Sequence, residues 1–266
     1  MRWNLRQADE SRAQELANEL SAFLRTDRPL ALILTKLLLS RGINTVEAAQ
    51  LFLSPSLDQL HSPYLMTGMK AAVERLDAAI ERKEGILVYG DYDVDGTTAV
   101  VILKTAIELC GGTADFHVPH RIREGYDLRG DVIERAAAAG IRLVISVDAG
   151  TRAFAAAESA RRAGVDLIIT DHHLPGPDGL PHAFAIVNPN QPGCDYPCKS
   201  LCGAGIAFKL AQALMEKRLP HRDQAPLLLS FMKIAAIATI ADSVPLKGEN
   251  RVIASLGLNA LRTAVN

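Results

Sequence analysis

Three carboxylates stand at alternate positions directly after an apolar run. Residues 86–96 read Ile-Leu-Val-Tyr-Gly-Asp-Tyr-Asp-Val-Asp-Gly. Ile86 to Tyr89 predict a buried strand, Gly90 ends it, and Asp91, Asp93 and Asp95 follow. Side chains two apart in an extended segment share a face, so this spacing predicts three acids on one side. Ionised carboxylates crowded without a counter-charge repel one another. A divalent cation is the simplest compensation, and hard oxygen donors at a strand end suit Mg²⁺ or Mn²⁺. The competing reading is a polar turn, because Asp and Gly both favour turns.

Two further strands end in the same chemistry. Residues 142–150 read Arg-Leu-Val-Ile-Ser-Val-Asp-Ala-Gly, an apolar strand followed by Asp148. Residues 165–173 read Val-Asp-Leu-Ile-Ile-Thr-Asp-His-His, another strand running into Asp171, His172 and His173. Open α/β sheets bind ligands at the carboxyl ends of their strands, so these clusters are expected at one edge. Imidazole beside carboxylate shifts the preferred ion from Mg²⁺ toward Mn²⁺, Fe²⁺ or Zn²⁺. A fourth candidate is Asp242, reached by the small-residue helix of residues 234–241. A carboxylate is disfavoured at a helix C-terminus, and a cation there removes the penalty. The alternative is an ordinary terminal Asp before a Pro-containing loop.

The elements that must position these groups follow from periodicity. Residues 1–84 read as mostly helical, with an apolar stretch from Leu30 to Leu39, a helix capped by Thr45, and an amphipathic helix from Met69 to Arg82. Beyond them, strands are expected at 86–90, 114–118, 143–147, 167–170 and 185–187, the last leading to Asn188-Pro189-Asn190. Helices are expected at about 97–109, 131–139, 152–163, 205–217 and 224–241. Strand and helix in alternation predict an α/β fold with parallel strands and right-handed crossovers. Pattern alone leaves the strand order open.

Composition narrows the class. The chain has 266 residues, 48% of them hydrophobic, enough to bury a large core. No run is expected to reach the ~18 apolar residues of a membrane span. Met1-Arg2-Trp3-Asn4 carries no apolar signal region, so no membrane association and a cytoplasmic location are expected. A net charge of −1 gives no bulk attraction to nucleic acid. Cys194, Cys198 and Cys202 are spaced unlike the usual zinc or iron–sulfur patterns, and with Cys110 they read as reduced thiols.

Asp93-Val94-Asp95 after a strand, Val147-Asp148, Asp171-His172-His173 and Ala241-Asp242 resemble the four motifs of the DHH phosphoesterases. Within them the chain is similar to the RecJ branch of single-strand-specific 5′→3′ DNA exonucleases. The likeness is carried by Gly90 to Gly96, Val118-Pro119-His120-Arg121, Glu124-Gly125-Tyr126, Thr170 to Gly176, Leu201 to Gly205, Ala241 to Leu246 and Asn250-Arg251. It runs from near Leu30 to Leu261. Two positions depart: Tyr89 stands where many members have a His that could be a ligand, and Asp127 where Gly is usual.

The resemblance implies a five-stranded, mainly parallel sheet of order 2-1-3-4-5, flanked by helices, with an N-terminal helical extension. It implies a helical extension over residues 1–84 and a phosphoesterase domain over 85–266. The DHH-associated and oligonucleotide-binding domains of the family would lie outside this sequence. It implies two Mn²⁺ ions, with Mg²⁺ as an alternative, and hydrolysis of single-stranded DNA in repair and recombination. A single-strand-binding protein is a candidate partner.

Site roles follow as expectations. Asp93 would face one ion, Asp95, His172 and Asp242 the other, and Asp148 would bridge them. His173 would contact the scissile phosphate or the leaving oxygen, or else hydrogen-bond a ligand carboxylate. Asp91, also placed among the catalytic residues, and Asp171 would orient rather than ligate. Arg121 could hold a phosphate bidentately, and Gly203 and Gly205 could offer backbone N–H groups to one. Two other functions stay open: a phosphodiesterase for short oligonucleotides or cyclic dinucleotides, and a non-catalytic replication scaffold.

Overall fold

The computed structural model describes residues 9–125 and 127–262, so the expectations for Met1 to Asn4 and for Tyr126 lie outside the described residues. The chain divides into two compact units, Met1–Gln59 and Leu60–Asn266.

The first unit is helical. Helices α1 (Glu10–Leu24), α2 (Arg28–Ser40) and α3 (Val46–Leu53) begin at Asp9, Asp27 and Thr45, whose side chains accept backbone N–H groups of the first turn. They close over Leu16, Leu20, Leu38 and Ala49.

The second unit holds helix α4 (Met69–Glu81), which the sequence grouped with the N-terminal helices, and the sheet. Five strands, β1 (Gly85–Gly90), β2 (Ala114–His117), β3 (Ile141–Val147), β4 (Asp166–Thr170) and β5 (Ala185–Val187), lie in the order β2-β1-β3-β4-β5. All their pairings are parallel. This is the order the resemblance implied. The interior strands read as unbroken apolar runs because both faces are covered. On one face Leu87, Tyr89, Val144, Leu167 and Ile169 pack under α6 (Gly130–Ala138) and α7 (Phe154–Ala163). On the other lie α4, α5 (Val94–Leu109) and α8 (Gly203–Arg218).

The chain leaves β1 toward β2 on one side and builds β3, β4 and β5 on the other. The order therefore reverses between β1 and β3, which opens a crevice at their carboxyl ends.

Three local expectations need correction. Helix α5 starts at Val94, not near Thr97. A last helix, α10 (Gly248–Leu261), was not anticipated; it packs on α9 (Gln224–Ala241). Helix α9 has 18 residues at a hydropathy of 1.6 and is long and apolar enough to cross a membrane, contrary to expectation. Its apolar character has a local cause: Leu228, Phe231, Met232, Ala235, Ala236 and Ala238 are buried, and the helix packs against α5, α8 and α10.

Candidate metal centre

The acids after β1 do not continue as a strand. Asp93 is the N-cap of α5, its Oδ1 accepting the Gly96 N–H at 2.9 Å. Asp95 lies in the first helical turn. The expectation of three acids on one extended face is therefore wrong in mechanism, because a capping Asp starts a helix sooner than an Asp-rich run suggests. The tight return brings Gly96 against the backbone of Asp91, where a Cβ would lie 2.6 Å from the Asp91 nitrogen. Only glycine fits.

Asp95 is buried, and its carboxylate closes the N-terminus of α8. Oδ2 accepts the Gly203 N–H at 2.6 Å and Oδ1 the Ala204 N–H at 2.8 Å. A helix N-terminus favours an anion there. The expectation that the Gly203 N–H meets a phosphate is corrected accordingly. The Gly203 N–H is already taken, and Gly205 packs against Leu201 and Cys202.

Asp148 directly follows β3 with φ +59°, a left-handed conformation uncommon outside glycine. Its N–H donates to Thr170 O at 2.9 Å, carrying the β3–β4 pairing one residue past the strand. Asp148 Oδ1 lies 3.2 Å from His172 Nε2, and Asp95 Oδ2 lies 3.8 Å from the same nitrogen. Asp242 caps the C-terminal end of α9.

The His pair is held by Asp171. Its Oδ1 accepts the N–H groups of His172 at 2.7 Å and His173 at 3.2 Å and meets His173 Nδ1 at 2.7 Å. Its Oδ2 accepts the Thr151 N–H at 2.8 Å. Arg121 is exposed after β2, with its guanidinium carbon 5.3 Å from the centroid of the Tyr92 ring. Tyr89 packs under α6 and donates its hydroxyl to Asp127 O at 3.0 Å. Asp127 stands at φ +80°, a conformation that explains why Gly suits this position.

Among the described residues three donor groups form, each with ligand atoms within 4.8 Å of one another: Asp91, Asp93 and Asp148; Asp148, His172 and His173; and Asp95, His172 and Asp242. Asp148 and His172 each belong to two of them. Burial, then the charges of Asp95, Asp93 and Asp171, push the Asp148 carboxyl well above the ordinary range. Burial likewise raises Asp91 and, with Asp95 beside it, Asp242. Among the described residues, no hydrogen-bond donor is aimed at the buried Oδ1 of Asp91 or of Asp148. Crowded acids with unclaimed oxygens, beside an imidazole, fit divalent cations of the Mn²⁺ type. Burial also works to raise Asp171, but the His173 and Thr151 hydrogen bonds prevail and hold it at about 2. The same bond raises His173.

Sequence reasoning missed Thr151, Asn188 and Asn190, which hold the Asp-His-His segment. Their only signal was position: each follows a strand on the crevice side. A cavity of about 330 Å³ adjoins this segment, lined by Asp127, Gly150, Thr151, Arg152, Asp171, His173 and Leu174.

A parallel α/β domain with a metal-capable acid–imidazole centre at its switch point defines a narrow class. The DHH family, N-terminal domain, matches residues 85–239, and the chain belongs to that family. The single-stranded-DNA-specific exonuclease RecJ of Bacillus subtilis (strain 168) is 41% identical over 262 residues, covering 98% of this chain and 31% of that protein. The crystal structure of exonuclease RecJ bound to manganese aligns with a TM-score of 0.67 at 32% identity, over 77% of this chain and 49% of that one. The RecJ of Thermus thermophilus in complex with Mn²⁺ gives a TM-score of 0.72 at 28% identity, over 92% of this chain and 33% of that one. The chain thus spans between about a third and a half of the length of these relatives.

Proposed function

We propose that residues 85–266 form the phosphodiesterase domain of a single-strand-specific DNA exonuclease that works 5′→3′ with two Mn²⁺ ions. The observation that carries this reading is the convergence of three donor groups on Asp148 and His172 at the sheet's switch point. The RecJ relatives, named for single-stranded-DNA-specific exonuclease activity and for bound manganese, support the substrate and the ion. The polarity rests on the likeness to the same branch.

Asp93, with Asp91 beside it, would hold one ion, and Asp95, His172 and Asp242 the other, with Asp148 between them. Such ions activate water and neutralise phosphoryl charge. The chain's own residues do the rest. Asp95 is fixed by the α8 N-terminus, so its carboxylate cannot swing away when substrate enters. His173, with Nδ1 on Asp171, presents its other ring nitrogen as the group that holds or gives a proton to the leaving oxygen. Arg121, whose guanidinium carbon lies 5.3 Å from the centroid of the Tyr92 ring, would bind a phosphate next to the reacting one. The cavity beside His173 would receive a nucleoside.

The four cysteines are free and buried, which suits the reducing cytoplasm. Single-stranded DNA is the partner in this reading, and a single-strand-binding protein is a candidate second one. With a net charge of −1 and 5% aromatic residues, this chain alone should digest slowly and without processivity.

The test is a time course on a long 5′-labelled single strand with Mn²⁺ supplied, beside a duplex, a short oligonucleotide and a cyclic dinucleotide. Mononucleotide release from the single strand, lost in Asp148→Ala, is expected. Hydrolysis confined to the short substrates would favour the small-nucleotide reading. Activity of Asp148→Ala within tenfold of the unmodified chain would refute its central place.

A further inference from the structure

The two histidines sit on backbone that belongs to neither strand nor helix. Their N–H groups are taken by Asp171 from within the segment. Their carbonyls are taken from outside it, by two asparagines of the loop after β5. Asn190 Nδ2 donates to His172 O at 2.7 Å, and Asn188 Nδ2 donates to His173 O at 2.8 Å. The asparagines are joined to each other, the Asn190 N–H donating to Asn188 Oδ1 at 2.8 Å. Asn188 Nδ2 also reaches Thr151 Oγ1 at 2.9 Å, and the Thr151 N–H returns to Asp171. The polar ring is closed: the N–H and the carbonyl of each histidine are both held, and Asn188 is fully buried within it.

We propose that Asn188 and Asn190 are positioning residues that set where the two imidazoles stand, Asn190 acting through His172 and Asn188 through His173. The inference rests on the metal reading above. A loop residue can turn about its backbone dihedrals, and a shift of about 1 Å at a ligand atom is enough to weaken a site. The asparagine amides remove that freedom for His172, which belongs to two of the three donor groups. Partners of this kind typically change metal affinity by about 10–100-fold when removed.

The loop supplies its own control. Gln191 uses the same amide chemistry to hold Thr67 O at 3.0 Å and Ile186 O at 2.8 Å. Those bonds fix the loop, and none of them reaches a histidine.

The experiment is calorimetric titration of the metal-free chain with Mn²⁺ alone, for the unmodified protein, Asn190→Ala and Gln191→Leu. Melting temperatures in chelator and the histidine ring nitrogen NMR signals accompany it. Asn190→Ala should bind Mn²⁺ about tenfold or more weakly and shift the His172 ring signals. Gln191→Leu should melt lower and keep its Mn²⁺ affinity. Should Asn190→Ala not fold, Asn190→Ser, too short to reach the carbonyl, is held to the same criteria. Equal affinity in the asparagine variant, or an equal loss in Gln191→Leu, would overturn the assignment. Failure of the unmodified chain to bind Mn²⁺ would instead sink the metal reading itself.

Discussion

The carboxylate of Asp95 accepts the Gly203 N–H at 2.6 Å, joining the first turn of α5 to the first turn of α8 across the crevice. The helix end therefore holds the acid. The same glycine lies against Asp148, where a Cβ would come within 2.4 Å of the Asp148 Cβ. One residue thus locates two of the acids.

Gly203→Ala should force Asp148 or α8 to move, because no contact that short survives. Overpacking of this kind costs about 1–3 kcal/mol. The expected result is a folded protein with Mn²⁺ affinity at least about tenfold weaker. Calorimetry and circular dichroism check it, and unaltered affinity would show that Gly203 is not a spacer.

Metal binding should release protons. The folded pKa of Asp148 lies above its ordinary 3.8, through burial first and then its acidic neighbours. The metal-free folded state thus keeps a proton that the unfolded chain has lost, and stability falls as pH rises above the ordinary carboxylate value. His173 is raised through its bond to Asp171; its contribution is complete below 6.5 and fades as pH climbs through the raised value, the same direction. Mn²⁺ should displace about one proton per chain near neutral pH. Titrations in two buffers of different ionisation heat measure it, and Asp148→Asn should lower the release.

Position 89 should not influence the ions. Tyr89 stacks on His117 at 5.1 Å between ring centroids and donates its hydroxyl to Asp127 O, so its ring is engaged by neighbours outside the three donor groups. Tyr89→Phe should cost about 1 kcal/mol in urea denaturation. Tyr89→His should leave Mn²⁺ affinity unchanged; tighter binding would restore the ligand expectation drawn from the sequence.

How legible this was depended on which signal each element carries. Strands β1, β3 and β4 are covered on both faces, so unbroken apolar runs announced them, and each placed its acid correctly at the strand end. Helix α10 carries buried Glu249 and Asn250 in its first turn, and Gly257 sits where a Cβ would meet Met232 O at 2.2 Å. Polar and glycine positions facing inward erase an amphipathic pattern. The start of α5 was misplaced because Asp93 does two things, capping a helix and joining a donor group. The asparagine contacts depend on tertiary folding between loops, which no local periodicity encodes.

Glu249 anchors that hidden helix through a fully buried network. Lys209 Nζ lies 3.1 Å from Glu249 Oε1 and donates to His61 O at 2.6 Å, while Tyr196 donates to Glu249 Oε2 at 2.5 Å. Lys209→Met should leave the carboxylate buried without its cation and cost about 3–5 kcal/mol. The double variant Lys209→Met/Glu249→Leu should recover part of that loss in chemical denaturation. No difference between single and double variants would mean that the pair is not coupled.

The central claim is a pair of ions sharing Asp148. Electron paramagnetic resonance of the chain titrated with Mn²⁺ tests it most directly, because ions about 3.5–4 Å apart couple magnetically. The predicted result is uptake of two ions with a spin-coupled signal that disappears in Asp148→Asn. A single ion, or two that remain magnetically independent, would contradict the shared-carboxylate centre.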